Sequence, residues 1–285
     1  MSIAIGEAIQ EAARILREMG IPEARREAGS LLSFVLARDR TFLISHSDEQ
    51  LSADDFKRYR DLVERRSLGE PLQYITGSQD FYGRSFHVSP DVLIPRPETE
   101  LLVEAALALL GNNDAHFCDV GSGSGCIAVT LLCERLELRG MALDISAGAL
   151  DITRQNAIRW NVENRLSLEV SDCFDALEPD DSQFELVVSN PPYVSANAVP
   201  GLQREVKDHE PMIALSPGPD GLAVIRRLLH ETPRFLRKDG FLLLEIGFDQ
   251  GAAFERLVDP SSFRLVEIRP DLQGIPRIVI LQKSR

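Results

Sequence analysis

The chain reads as an α/β protein: a seven-stranded, mainly parallel sheet with helices on both faces and an antiparallel C-terminal hairpin. A small helical domain and a β-hairpin linker precede it. Three observations carry this reading. From residue 98 onward, short apolar runs alternate with stretches of helical period. The last two apolar runs, 263–269 and 276–282, have no helix between them, so they should pair antiparallel at the sheet edge. Residues 1–72 show only the three-to-four spacing of amphipathic helices.

The elements follow in order. Ile5, Ala8, Ile9, Ala12, Ala13, Leu16 and Met19 line one helical face, Gly20 ends that helix, and Pro22 opens the next. Ala24, Ala28, Leu31, Leu32, Val35 and Leu36 form a second stripe. Ser52 is placed to cap a third helix through Phe56, Tyr59, Leu62 and Val63. Residues 73–97 form a linker rich in aromatics, Gly and Pro, with a hairpin over 81–88 turning at Gly83. Residues 98–285 make the third unit. Its helices are predicted at 98–110, 125–136, 147–160, 220–237 and 249–258, and its strands at 117–120, 141–144, 166–170, 184–188, 241–246, 263–269 and 276–282.

A chain of 285 residues with 44% hydrophobic and 26% charged side chains can bury a real core. No apolar run reaches the roughly 18–20 residues of a bilayer crossing, and the N-terminus lacks the apolar stretch of a signal peptide. A cytoplasmic location without membrane contact is expected. The net charge of −13 argues against tight binding to naked nucleic acid, which needs a basic footprint. Residues 1–80 hold 11 basic against 14 acidic side chains, so most of the negative excess lies in the later part. A basic protein partner suits such a surface better than phosphates do. The four cysteines, at 118, 126, 133 and 173, form no C-x-x-C pair and have no histidine at ligand spacing. Buried reduced thiols and no metal site are expected.

Asp119-Val-Gly121-Ser122-Gly123-Ser124-Gly125 follows a strand and opens a helix. Glycines there let the backbone turn sharply and approach a ligand closely. Dinucleotide enzymes use G-x-G-x-x-G. Here the third glycine of that pattern falls on Cys126 and the spacing is G-x-G-x-G; no pyrophosphate need be cradled if the ligand is a nucleoside with an amino-acid tail. Asp144 ends the next strand, where an acid can accept from the ribose hydroxyls of NAD or S-adenosylmethionine, or else cap the following helix. Asp172 follows the third strand, where a carboxylate can accept from an adenine amino group or simply face solvent.

Asn190-Pro191-Pro192-Tyr193 follows the fourth strand of this unit. The prolines fix φ and stop the strand, leaving a stiff platform at the carboxyl end of the sheet, where open α/β folds bind ligands. A planar nitrogen needs acceptors for its hydrogens, a flat surface, and alignment with a methyl sulfonium. The Asn190 oxygen and a proline-loop carbonyl can supply the acceptors, and Tyr193 the face. Preorganised acceptors favour the tetrahedral nitrogen of the transition state. Asn190, Pro191, Pro192 and Tyr193 are therefore the candidate catalytic residues. By chemistry alone they do not distinguish an amide from a base.

The order of glycine loop, acidic strand end and NPPY resembles class I methyltransferases that modify exocyclic or amide nitrogens. The finer resemblance is to the HemK/PrmC family, which methylates the glutamine of the GGQ motif in peptide chain release factors. It rests on Pro71-Leu-Gln-Tyr-Ile-Thr-Gly77, Val92-Leu-Ile-Pro-Arg-Pro-Glu-Thr-Glu100, Val188-Ser-Asn-Pro-Pro-Tyr193, Glu210-Pro-Met-Ile-Ala-Leu215, Asp220-Gly-Leu222 and Glu245-Ile-Gly247. The resemblance implies S-adenosyl-L-methionine bound by Gly121, Ser122, Gly123, Ser124, Gly125 and Asp144, with Asp172, Cys173 and Asn190 beside it. Residues 190–193 would hold the glutamine amide. Cys173 stands where the family often has a tryptophan, and it cannot stack as an indole would. Arg96 and Glu98 either shape the rim of the site or simply start a helix. An adenine-N6 nucleic-acid methyltransferase is the alternative enzyme; the acidic charge and residues 94–100 speak against it. A non-catalytic methyl-donor-binding module and a nicotinamide oxidoreductase fit the NPPY loop less well.

Overall fold

The computed structural model describes residues 3–110, 114–178 and 184–284. They form two compact units. One comprises the chain up to Ser78 together with Gln203–His209; the other comprises Gln79–Leu202 and the chain from Glu210 onward.

The first unit is helical: α1 (Ile5–Glu18), α2 (Ala24–Leu36), α3 (Arg40–Ser45), α4 (Ala53–Ser67) and α5 (Leu72–Thr76). The stripes on α1 and α2 bury Ala8, Ala12, Leu16, Ala28, Leu31 and Leu32 against Tyr59 and Val63 of α4. Ser52 caps α4 by accepting from Asp55 N at 3.0 Å. Two details differ from the sequence expectation. The second helix starts at Ala24 rather than at Pro22, because Glu23 sits in the left-handed region at φ 51°. Helices α3 and α5 span only six and five residues, too short to show a period. Asp39 marks the start of α3 by accepting from Phe42 N at 2.8 Å.

Among the described residues, Arg66 of α4 is the one charged side chain in the buried interior of this unit, only 1% exposed. Its guanidinium pairs with Glu27 of α2, pairs with Glu205 at 2.5 Å, and donates to the Glu70 carbonyl at 3.1 Å. Glu205 belongs to the later segment, so this cluster fastens Gln203–His209 into the helical unit.

The second unit opens with the hairpin β1 (Ser78–Phe81) and β2 (Arg84–His87), turning through Tyr82 and Gly83. Then come α6 (Glu100–Leu110), β3 (Ala115–Val120), α7 (Cys126–Glu134), β4 (Leu138–Asp144), α8 (Ala147–Arg159), β5 (Leu166–Val170) and β6 (Phe184–Ser189). The chain next passes through α9 (Arg204–His209), which lies in the first unit. It returns as α10 (Met212–Leu215), α11 (Ala223–Glu231), β7 (Leu236–Glu245), α12 (Gly251–Glu255), β8 (Phe263–Pro270) and β9 (Pro276–Lys283).

The seven-stranded sheet has the order β5-β4-β3-β6-β7-β9-β8. The strands β5 to β7 run parallel, while β9 pairs antiparallel with both β7 and β8. The central strands β3 and β6 are buried almost throughout, which explains their unbroken apolar runs. The strands at the two edges, β5 and β8, carry exposed positions. The connections diverge at the β3–β6 pair: β4 and β5 extend to one side, β6 and β7 to the other. That divergence opens a crevice at the carboxyl ends of β3 and β6.

The expected helix over 220–237 is too long. It stops at Glu231; Thr232–Arg234 form a 3₁₀ turn containing Pro233, and residues from Leu236 already belong to β7. Proline cannot donate the helical hydrogen bond, and Leu236 instead pairs with Phe184. Among the described residues no helix is long and apolar enough to cross a membrane.

Replacing Arg66 with Met should lower the unfolding free energy by roughly 3 kcal/mol, because two acids lose their buried partner. Urea denaturation of the full chain checks this; an unchanged midpoint would show that solvent already compensates the pair.

Candidate active site

The crevice is lined by the glycine loop, by Asp144 and Ser146, by Asp172 and Cys173, and by Ser189, Asn190, Pro191 and Pro192. Arg96 and Thr99 close one side, and Ile213 and Ala214 another. The sequence-predicted residues therefore converge on one cleft, with two exceptions described below.

The loop after β3 is folded by two amides, Gly121 N and Ser122 N, which donate to Leu143 O at 2.8 and 3.1 Å. Gly121, Gly123 and Gly125 have φ of 74°, 57° and 75°. A Cβ built on Gly121 or Gly123 would meet nothing within 4 Å, so these two leave open space beside bare backbone. Gly125 differs. It does not line the cleft, and a Cβ there would come within 2.8 Å of Thr153 Cγ2. Its role is close packing at the start of α7.

Asp144, at the end of β4, accepts from Gly123 N at 2.8 Å and Ser146 N at 2.9 Å. Burial raises its pKa, and these backbone bonds oppose the rise. The cap of α8 is Ser146, which accepts from Ala149 N at 3.2 Å, so Asp144 is not needed for capping. Asp172 is exposed and pairs with Arg227 at 2.7 Å. Cys173 is buried, and burial pushes its thiol up to about 12. Asp119 lies behind the loop, fully buried. One carboxyl oxygen accepts from Ser122 Oγ at 3.1 Å and Ala128 N at 3.3 Å. The other has no partner among the described residues. Burial pushes this carboxyl up to about 7.

The NPPY loop is held from behind. Ser189 Oγ donates to Val120 O at 2.6 Å, tying the ends of β6 and β3 together. Asn190 Nδ2 donates to Thr99 Oγ1 at 3.0 Å, and Thr99 Oγ1 donates to Glu245 Oε2 at 2.7 Å. Tyr193 OH donates to Glu245 Oε1 at 3.3 Å. Tyr193 is thus the second exception. It is not among the residues lining the cleft, and its hydroxyl is directed into the buried network. Burial, and then the Glu245 charge, raise its pKa. The Tyr193 carbonyl accepts from Gln250 Nε2 at 3.1 Å. Gly221 packs against that carbonyl: a Cβ there would lie 2.3 Å from Tyr193 O, and its φ is 71°. Arg96 pairs with the buried Glu210 at 2.5 Å; Glu98 is not part of the lining.

Thr99, Glu245, Gln250 and Gly221 are site components that the sequence reading left without a role. Glu245 carried a usable signal, being an acid inside the apolar run Phe241-Leu-Leu-Leu-Glu-Ile246. It is 1% exposed, and burial pushes it up to about 7. Among the described residues no group of three or more His, Cys, Asp or Glu could hold a metal.

Asp119 and Glu245 have folded pKa values above the ordinary carboxylate range. The folded chain therefore binds more protons than the unfolded chain between about pH 4.5 and 7. Their contribution to stability is present below that window and falls as pH rises through it. Asp119→Asn should flatten this fall in urea midpoints measured across the window; an unaltered slope would contradict it.

The "PrmC N-terminal domain" family model matches residues 7–77, and the "Methyltransferase small domain" model matches residues 97–206. The chain is 43% identical over 279 residues to the release factor glutamine methyltransferase of Koribacter versatilis, covering 97% of this chain and 98% of that one. It is 41% identical to the enzyme of the same name from Nitratidesulfovibrio vulgaris, covering 97% and 94%. The solved structure of a methyltransferase from Pyrococcus furiosus shares the fold, with a TM-score of 0.54 at 13% identity, covering 80% of this chain and 99% of that one. With such identity running over nearly the whole of both chains, this protein belongs to the release factor glutamine methyltransferase family of enzymes.

Proposed function

We propose that the chain transfers a methyl group from S-adenosyl-L-methionine to the side-chain amide nitrogen (N5) of the glutamine in the GGQ motif of peptide chain release factors. The observation that carries this is the seat of Asn190: an anchored amide on a proline platform, beside a glycine-lined cleft. The names of the full-length relatives support the same substrate.

The cleft fits the cofactor. Gly121 and Gly123 present backbone with open space where a side chain would intrude. Gly121 to Ser124 would face the amino-acid tail, Asp144 would accept from the ribose hydroxyls, and Asp172 and Cys173 would border the adenine. When bound, the cofactor supplies an electrophilic methyl on a sulfonium.

The chain's own residues do the rest. Asn190 Oδ1 and a carbonyl of the proline pair accept the two N–H hydrogens of the substrate amide. Pro191 and Pro192 keep these acceptors still, so little reorganisation is needed as the nitrogen becomes tetrahedral. An amide nitrogen is a weak nucleophile, so alignment contributes more than a general base. Tyr193 acts from behind, through Glu245 and Gln250. The helical unit is assigned to substrate recognition, and the negative charge of the chain to attracting basic surface around the GGQ loop. Release factors work in the cytoplasm, and the enzyme is placed there with them.

Incubating the chain with a release factor and S-adenosyl-L-methionine should add one methyl to the GGQ glutamine, read by peptide mass spectrometry. Equal methylation of a GGA variant, or preferential methylation of RNA or DNA, would refute the assignment. Asn190→Ala should lower kcat on that release factor by roughly 100-fold or more, as measured by single-turnover methyl transfer.

A further inference from the structure

We propose that Thr99 and Glu245 are positioning residues that lock the Asn190 amide with its oxygen toward the substrate, so that the site selects a nitrogen with hydrogens to donate. This rests on the function proposed above and deepens it.

Counting hydrogens forces the direction. Glu245, as a carboxylate, only accepts: from Thr99 Oγ1 at 2.7 Å and from Tyr193 OH at 3.3 Å. The single hydroxyl hydrogen of Thr99 is thereby engaged, so toward Asn190 the Thr99 oxygen can only accept. Asn190 must then turn its NH₂ to Thr99, at 3.0 Å, which leaves Oδ1 as the atom it offers to the cleft. The three groups come from separate elements. Thr99 ends the 3₁₀ turn before α6, Glu245 ends β7, and Asn190 follows β6. One buried charge thus sets the polarity of a side chain two hydrogen bonds away.

The opposite polarity is equally well defined. A proton on Glu245 Oε2 donates to Thr99. The Thr99 hydrogen is then released toward Asn190, and the amide turns to present NH₂ to the cleft. Two N–H groups would then face each other, and the substrate amide would lose an acceptor. Burial pushes Glu245 up to about 7, opposed by its bonds from Thr99 and Tyr193 and by Arg277 of β9, while Glu98 adds to the rise. The Cys126 thiol of α7 also faces this charge, and burial keeps it protonated. Protonation of Glu245 at Oε2 would turn the Asn190 amide over, so kcat should fall as pH drops through about 7.

The test uses the full chain, S-adenosyl-L-methionine and a GGQ-containing release factor. Thr99→Val keeps the shape but removes the hydroxyl; kcat should fall roughly 100-fold, with cofactor affinity little changed. Thr99→Ser, which restores the hydroxyl, should recover most of the rate. In Glu245→Gln a side-chain NH₂ can face Thr99 and invert the relay; kcat should fall similarly, and the pH dependence near 7 should disappear. A second readout needs no substrate. The Asn190 side-chain NH₂ signal in ¹⁵N–¹H spectra, identified by its loss in Asn190→Ala, should move in Thr99→Val and Glu245→Gln but not in Thr99→Ser. It should also titrate with a midpoint near 7 in the parent chain. An Asn190 signal that ignores Thr99→Val, Glu245→Gln and pH would overturn the relay, as would a Thr99→Val enzyme with the parent kcat. If the parent chain fails to methylate any release factor while the Asn190 signal responds as described, the relay stands and the assigned substrate falls.

Discussion

A carboxylate buried at the end of a strand must find donors, and Glu245 meets this demand with two hydroxyls, with the Arg277 charge assisting. Thr99 is drawn in from the turn before α6, and Tyr193 from the loop after β6. Once both are held, Asn190 has a fixed neighbour and the proline pair a fixed end. Gln250 completes the mount by bonding the Tyr193 and Gly221 carbonyls at 3.1 and 3.2 Å. The rigidity of the platform thus comes as much from what lies behind it as from its prolines.

The glycine-loop side of the cleft is organised on the same plan. Asp119 lies one residue before the end of β3, as Glu245 lies at the end of β7, and it too holds a loop from within, through Ser122 and the first turn of α7. Asp144 adds a third clamp across the glycine loop. The divergence of the sheet at β3 and β6 supplies the crevice, and three acids at strand ends shape its walls. Two of them, Asp119 and Glu245, do not line the cleft, and burial pushes both carboxyls up to about 7.

Much of this was legible in the sequence. The seven strands, their alternation with helices and the antiparallel close follow from apolar period, because the central strands are buried on both faces. The glycine loop and the NPPY loop announce themselves by residue types that the backbone there requires. What sequence could not convey is direction. Nothing in the linear pattern says that Tyr193 turns inward or that Thr99 bridges residues far apart in the chain, since these depend on which strand ends meet. Short elements such as α3, α9 and α10 also escaped, having too few residues for a period. The overlong helix before β7 shows the converse error: apolar residues on both sides of Pro233 look continuous until strand pairing claims one side.

The helical unit is built from two stretches of chain far apart in sequence, joined through Arg66 and Glu205. Such a discontinuous module cannot be inherited or exchanged as one uninterrupted cassette. A chimera that takes its N-terminal helices from one relative and the remainder from another inherits one half of an ion pair from each parent.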